Sequence, residues 1–393
     1  MSRKTVAQTR DSIRGLLSGL ALGNVVNLDT AMERTARELT QLLAIPEAVI
    51  KTPLTLYNGV TDYVGPTDGF SSFVDIRPQG NSRIDVDYPY HNTPVDFDRN
   101  KNIYGNGYNV VHEYVNGIGR LRITSRRPLP KIELDAMTED TGWTAAGSAG
   151  SLAEDSTVFW NDPSSLRLTL TGASVGTLTK TISAQDLTDY VGRGVVFLAM
   201  RTPDITNLTS IAVRIGSDSS NYYEVSNTTG FLGAWTINEW LLTALDLSGA
   251  TTTGTPTVTA IDYAQIRITH GATITNFYVG DLWISLPSPH DLFYASDAIF
   301  QPAAAGTVPL QTITLPSDTI LLNDDALLIY ELLSAANIAQ QQGGEDGQGI
   351  ISTLNKKLYG SREGRTGRER PGLIDLYRAR NLNQDVPMVD SYY

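Results

Sequence analysis

Hydrophobic positions recur with two different periods along this chain. At the front, Ile13, Leu16, Leu17 and Leu20 follow helical spacing, and Thr5 with Gln8 has the form of a capping box opening a first helix. A second helix is predicted from Thr30, capped with Glu33 in the same way, through Met32, Ala36, Leu39 and Leu43. It should stop at Pro46, whose ring removes a backbone donor, so the two helices are expected to form a short antiparallel pair. From Lys51 to Leu134 the pattern changes to strands and polar loops. Gly105 and Gly107 mark a turn, and Val110 to Val115 with Gly119 to Ser125 reads as a hairpin.

In the middle, short β-branched and aromatic runs alternate with turn-forming clusters: Ser165 to Leu170, Val195 to Met200, Ser210 to Ile215, Tyr222 to Val225, Ala264 to Ile268 and Phe277 to Ile284. Ile211, Val213 and Ile215 alternate with Ala212 and Arg214, so each strand has a core face and a wet face. Many such strands without a long helix imply an antiparallel sandwich. After it come Thr312 to Leu315, then an Asn323 or Asp324 cap opening a nearly all-round apolar helix, Ala326 to Ala339, which needs burial to be stable. A flexible break is expected over Gln340 to Gly349, followed by Ile350, Ile351, Leu354 and Leu358 and then a polar arm.

Composition sharpens the boundaries. All five tryptophans, Trp143, Trp160, Trp235, Trp240 and Trp283, fall between Thr138 and Leu286, and that segment holds 14 acidic and 6 basic residues, a balance of −8 within a chain of −12. The chain therefore divides into an inserted sandwich, 138–286, and a body joined from 1–137 and 287–393, because the front helices and the buried rear helix need each other. The expected fold class is α+β and multidomain: a helical, adaptor-like body with a small β region, interrupted by an antiparallel β-sandwich. At 393 residues, more than one core is expected. No apolar run approaches the ~20 residues of a membrane span, and the Met1–Lys4 start does not read as a signal peptide. Cysteine is absent, which excludes disulfides, thiolate metal sites and thiol nucleophiles and fits assembly in a reducing cytoplasm. The acidic charge argues against general or sequence-specific nucleic-acid binding.

Catalytic chemistry is not announced. His91, His112, His270 and His290 have no ligand spacing, and Gly343, Gly344, Gly347 and Gly349 are interspersed with Glu345, Asp346 and Gln348, which would repel phosphate. Asp96, Asp98 and Asn100 open like a calcium loop, but Lys101 stands where the turn glycine belongs. Glu224, Glu239 and Asp281 would have to meet in space to make a glycosidase pair. No cofactor, metal or catalytic residue is expected.

The aromatic set speaks more clearly, since sugar rings present flat C–H faces that stack on Trp and Tyr. The run Gly216-Ser217-Asp218-Ser219-Ser220-Asn221-Tyr222-Tyr223-Glu224-Val225, then Trp235 and Trp240, and the closing Phe277-Tyr278-Val279-Gly280-Asp281-Leu282-Trp283-Ile284 resemble the jelly-roll carbohydrate-binding modules over about 150 residues. That resemblance implies one or two exposed aromatics carrying the sugar and a calcium near sheet-edge carboxylates. Trp235 and Trp240, in a loop-like stretch, are the candidates for exposure, and with Tyr222 and Tyr223 they are the expected carbohydrate-binding residues. Trp283 and Trp160 are expected in the core, and core packing leads for each Trp.

The ends resemble, over Thr5 to Ile45 and Asp324 to Leu382, the head-to-tail connector or neck adaptor proteins of tailed bacteriophages. This implies a virion protein assembled in the bacterial cytoplasm, a ring homo-oligomer such as a dodecamer. Its C-terminal arm, Arg362, Arg365, Arg368, Arg370, Tyr377, Arg378 and Arg380, would dock on the portal and other neck or tail proteins. The alternatives are a host-glycan-binding decoration or fibre protein and a polysaccharide-acting enzyme. A structural or binding protein is expected, not an enzyme.

Overall fold

A computed structural model of the chain describes residues 4–18, 27–42, 45, 48–66, 70–79, 108–115, 118–125, 130–160, 163–303, 309–342, 345–363, 368–370, 372–374 and 376. Among the described residues the α-helices are α1 (Val6–Leu16), α2 (Leu28–Leu42), α3 (Asp324–Gln342) and α4 (Glu345–Tyr359). Before the sandwich run β1 (Val49–Leu56), β2 (Asp62–Val64), β3 (Phe70–Pro78), β4 (Tyr108–Val115) and β5 (Ile118–Ser125). The sandwich uses β6 (Lys131–Asp135), β7 (Thr144–Gly147), β8 (Ala149–Asp155), β9 (Ser165–Leu170), β10 (Ser174–Gln185), β11 (Val195–Arg201), β12 (Leu208–Asp218), β13 (Asn221–Asn227), β14 (Leu241–Asp246), β15 (Thr251–Thr253), β16 (Ile261–His270) and β17 (Ile274–Ser285). After it come β18 (Ser288–Ser296), β19 (Phe300–Gln301), β20 (Thr319–Ile320), β21 (Ser361–Glu363) and β22 (Arg368–Arg370).

Two antiparallel sheets face each other in the sandwich. The front sheet has the order β15-β13-β12-β16-β10-β7, and the back sheet β14-β11-β17-β9-β8, with β6 also pairing with β17. The period-two alternation fills the space between them: Ile211, Val213 and Ile215 of β12 and Ile266 and Ile268 of β16 meet Val196, Leu198, Leu168 and Phe277 in one buried cluster. The runs picked from the sequence fall within β9, β11, β12, β13, β16 and β17.

A second cluster belongs to the helices. The capping box at α1 is formed as its sequence predicts, Thr5 Oγ1 accepting from the Gln8 N–H and Gln8 Oε1 from the Thr5 N–H. Asn323 Oδ1 accepts from the Ala326 N–H at 2.8 Å to open α3. That helix is buried on nearly every side because α1, α2 and α4 all pack on it. Tyr330 donates its hydroxyl proton to the Met32 carbonyl at 2.8 Å, and Lys4 reaches the buried Glu331 at 2.7 Å. Arg10 grips Asp29 through two nitrogens, joining α1 to α2.

Several expectations are corrected. The protein is mostly β, with 47% of the described residues in strands and 21% in helices, so the flanking part is not a helical body with a small β region. Its strands combine across the insertion: β18 pairs between β1 and β3 in one sheet, and β2, β5 and β4 form another. Pro53 disguises β1 in the sequence, yet a proline is tolerated there because β1 is an edge strand. Helix α2 starts at Leu28, with Asn27 Oδ1 accepting from the Asp29 N–H, while Glu33 accepts from the Ile313 N–H instead of closing a box with Thr30. The supposed break after Gln340 is helical on both sides, to Gln342 and again from Glu345. Thr312 to Leu315 leads into a turn, where Asp318 accepts from the Thr314 and Leu315 N–H groups.

The third cluster joins the sandwich to its flanks. Val195, Phe197 and Trp283 point outward from the back sheet and are buried against Leu56, Val60, Tyr63, Phe73, Leu121 and Tyr294. Trp283 stacks on Phe197 at 5.4 Å and donates its indole N–H to the Asn58 carbonyl at 2.9 Å. Ser285 Oγ accepts from the Asn58 N–H at 2.8 Å. Gly59, at φ +84°, lies so close that a Cβ would stand 3.0 Å from the Trp283 indole nitrogen.

Candidate functional site

Much of the back sheet's outer face is used for this junction, whereas the outer face of the front sheet makes no such junction among the described residues. None of the three apolar clusters takes a residue from it among the described residues. The register builds it in rows. Tyr222 of β13, Gly216 of β12 and Tyr263 of β16 pair across three strands, and the next outward row is Glu224, Arg214 and Gln265, continued by Thr179 of β10. Arg267 lies one row further, paired with Ala212 and Thr177. Adjacent strands are ~4.8 Å apart, so each row presents side chains at that spacing.

The polar groups are bonded to one another. Arg267 Nη1 donates to both Glu224 oxygens, at 2.8 and 3.0 Å, and Arg214 Nε donates to Glu224 Oε2. Arg214 Nη1 donates to Gln265 Oε1 at 3.2 Å, and Gln265 Nε2 to Thr179 Oγ1 at 2.9 Å. The Arg214 guanidinium lies 4.3 Å from the Tyr222 ring centroid. Burial pushes the Tyr263 hydroxyl above its usual pKa, with Arg214 and a Thr179 hydrogen bond opposing. A side chain on Gly216 would meet Tyr222 Cα at 2.6 Å, so only glycine lets the tyrosine strand close down at this point, where the β12–β13 register shifts. The result is a half-buried platform of two tyrosines beside a fixed hydrogen-bonding band.

The four aromatics chosen from sequence are dispersed by the structure. Tyr222 is on this platform. Tyr223, its neighbour, faces the sandwich interior opposite Ile215. Trp235 is buried in the sandwich cluster and not exposed on its loop. Trp240 is half-buried on the outer face of the opposite, back sheet, with ring centroids 6.1 Å from Trp160 and 6.4 Å from Tyr278. Trp160, expected in the core, is half-buried in that trio, which packs down on Gly280. Trp240 and Tyr222 therefore cannot line one site. The residues missed were Arg214, Tyr263, Gln265 and Arg267; their signal was the period-two alternation of β12 and β16, which marks them as outward-facing.

Of the arm, Arg362, Arg368 and Arg370 fall in the β21–β22 hairpin, while Arg365, Tyr377, Arg378 and Arg380 lie outside the described residues. His91, the Asp96–Lys101 stretch and the Gly105–Gly107 turn also lie outside them. The three acids weighed for glycoside chemistry are separated: Glu224 is on the front face, Asp281 is in the back-sheet strand β17, and Glu239 accepts from Thr236 in the loop before β14. Ser148 and His270 make a 2.5 Å bond, and His270 Nδ1 lies 2.8 Å from the Ala272 carbonyl. Both side chains are buried, so the pair reads as a tie between β16 and the β7–β8 turn. No group of three or more acidic or histidine side chains that could hold a metal occurs among the described residues.

No protein-family model matches the sequence, and no curated protein matches it. Among solved structures, the chain is similar to the family 11 carbohydrate-binding module from Clostridium thermocellum in complex with a β-1,3-1,4-mixed-linked tetrasaccharide. The identity is 12%, the match covers 40% of this chain and 96% of that one, and the TM-score is 0.30. It is also similar to the family 30 module of a Clostridium thermocellum cellulosomal cellulase, at 13% identity, 40% and 97% coverage, and a TM-score of 0.30.

Proposed function

We propose that the protein is a carbohydrate-binding protein, not an enzyme, and that the front-sheet platform is its binding surface. The observation that carries this reading is the paired row Tyr222–Gly216–Tyr263 lying beside the band Glu224–Arg214–Gln265–Thr179 on a sheet face that enters no apolar cluster among the described residues. Saccharides demand both elements: apolar ring faces for the tyrosines and, at the rim of each ring, groups for directional hydrogen bonds. The band is rigid before any ligand arrives, because its members already hold one another, and preorganisation of this kind reduces the entropy lost on binding. The carboxylate of the band, Glu224, is clamped between two arginines, which hold it as an anion and occupy the oxygens that acid–base work on a glycosidic bond would need, and this favours binding over catalysis.

This differs from the portal-docking ring expected from the ends of the chain, whose basis was a predominantly helical body. The test is isothermal titration of the full chain against hits from a glycan array, with Tyr222→Ala as the comparison. Tyr222→Ala should weaken binding about tenfold or more, as loss of one stacked ring costs roughly 1–2 kcal/mol. An affinity unchanged by Tyr222→Ala, but abolished by Trp240→Ala, would move the site to the back-sheet trio.

A further inference from the structure

The hydrogen-bonding capacity left on this face is unbalanced, and the imbalance selects a ligand class. Glu224 accepts from both arginines, and Gln265 uses its oxygen for Arg214 and its amide nitrogen for Thr179, so the carboxylate and amide acceptors are engaged and the tyrosine hydroxyls remain as the neutral acceptors. Arg214 Nη2 and the Nε and Nη2 of Arg267 remain as donors without a bond in this network. The charge leans the same way: two guanidiniums and one carboxylate leave +1 on the platform, within a segment of net −8. Both arginine side chains are reachable, at 22% and 28% exposure.

Building on the carbohydrate reading above, we infer that the platform prefers saccharides carrying a carboxylate, that is, uronate-containing oligosaccharides, over neutral ones. A neutral sugar offers hydroxyls that act equally as donors and acceptors, whereas the free capacity of the two arginines is donor only and charged. A uronate offers two acceptor oxygens spaced for a guanidinium fork, and charge-assisted bonds of that kind are roughly twice as strong as neutral ones. The acidic remainder of the chain does not cancel this, since charges beyond ~8 Å are largely screened at physiological salt while a contact pair is not.

The experiment is calorimetric titration of the full chain with an oligogalacturonate, the neutral galacto-oligosaccharide of equal length, and a sulfated oligosaccharide. The oligogalacturonate should bind about tenfold tighter than the neutral chain. Arg267→Gln should erase that difference, and Glu224→Gln, which raises the local charge to +2, should widen it. Tyr222→Ala should weaken both ligands together. Equal, Tyr222-dependent binding of neutral and uronate chains overturns the preference and leaves the carbohydrate reading standing. Tight binding of the sulfated chain without the uronate overturns the choice of carboxylate, and no binding of any saccharide overturns both. The wild-type comparison decides the matter even if a variant fails to fold.

Discussion

The junction between the sandwich and its flanks can be dissected by a double-mutant cycle on Gly59 and Trp283, two residues from opposite sides of one contact. Trp283→Ala removes a fully buried indole stacked on Phe197 and its bond to the Asn58 carbonyl. The cavity and lost transfer energy should cost about 3–5 kcal/mol, and the hydrogen bond about 1 kcal/mol more. Gly59→Ala has two separable costs. The backbone at φ +84° disfavours any Cβ by roughly 1–2 kcal/mol, and the new methyl, 3.0 Å from the indole nitrogen, adds about 1–3 kcal/mol of overpacking.

Removing the indole opens the space that the methyl needs. In the Trp283→Ala background, Gly59→Ala should therefore retain only its backbone cost, and the two losses should fall short of additivity by about 1–2 kcal/mol. Urea unfolding followed by fluorescence and by far-ultraviolet circular dichroism measures each corner of the cycle. The two probes should shift together, because the contact belongs to both units. Additivity within ~0.5 kcal/mol, or a shift confined to one of two resolved transitions, would refute the claim that the sandwich is packed into its flanks.

Other consequences are simpler to test. Asn323→Ala removes the side-chain acceptor for the Ala326 N–H and should lower stability by about 1 kcal/mol in thermal or urea melts. Asp155 accepts from the Thr157 hydroxyl and N–H and the Val158 N–H, and these bonds hold its carboxyl below the usual 3.8. A depressed carboxyl stabilises above the unfolded value and loses that contribution as pH falls through the folded one. Asp155→Asn should thus cost about 1–3 kcal/mol at pH 7, and the gap from wild type should close below pH ~3.8. Burial holds the His112 and His290 imidazoles below 6.5, so the unfolded chain takes up protons first on acidification. Stability should fall as pH drops below 6.5, and His290→Gln should reduce that slope in melts at pH 7 and 5.

What the sequence could disclose depended on whether a signal was local. The Thr5–Gln8 box, the Asn323 cap and the alternation of β12 and β16 are written in neighbouring residues, and each is present in the structure. The three-stranded sheet of β1, β18 and β3 is not local: its middle strand lies more than 200 residues from its partners, and Pro53 masks the edge. Tryptophan was the least legible residue, because composition cannot say which way a ring points. Trp235 beside Gly233 looked exposed and is buried; Trp160 after Val158 and Phe159 looked buried and is half-exposed. Tyr222 and Tyr223 differ only in parity, and parity is what separates an outward face from a core.

Trp283 carries that argument to the level of the whole fold. It is buried, as its place in an alternating strand suggests, but on the opposite side of the strand from the sandwich core: Leu282 and Ile284 face inward, while Trp283 faces Asn58 and Gly59. A strand apolar on both faces is the mark of a sheet covered on both sides. β17 and β11, with Val196 and Leu198 inward and Val195 and Phe197 outward, meet that criterion, whereas β12 and β16, with Arg214, Gln265 and Arg267 outward, do not. The difference assigns the two sheets their duties. The doubly apolar one fastens the sandwich to the chain's flanks, and the singly apolar one presents a polar, tyrosine-bearing outer face, the face proposed above to bind saccharide. Placing a charge at Phe197 should consequently disrupt folding, while charge changes at Arg267 should alter ligand choice with little effect on the melt.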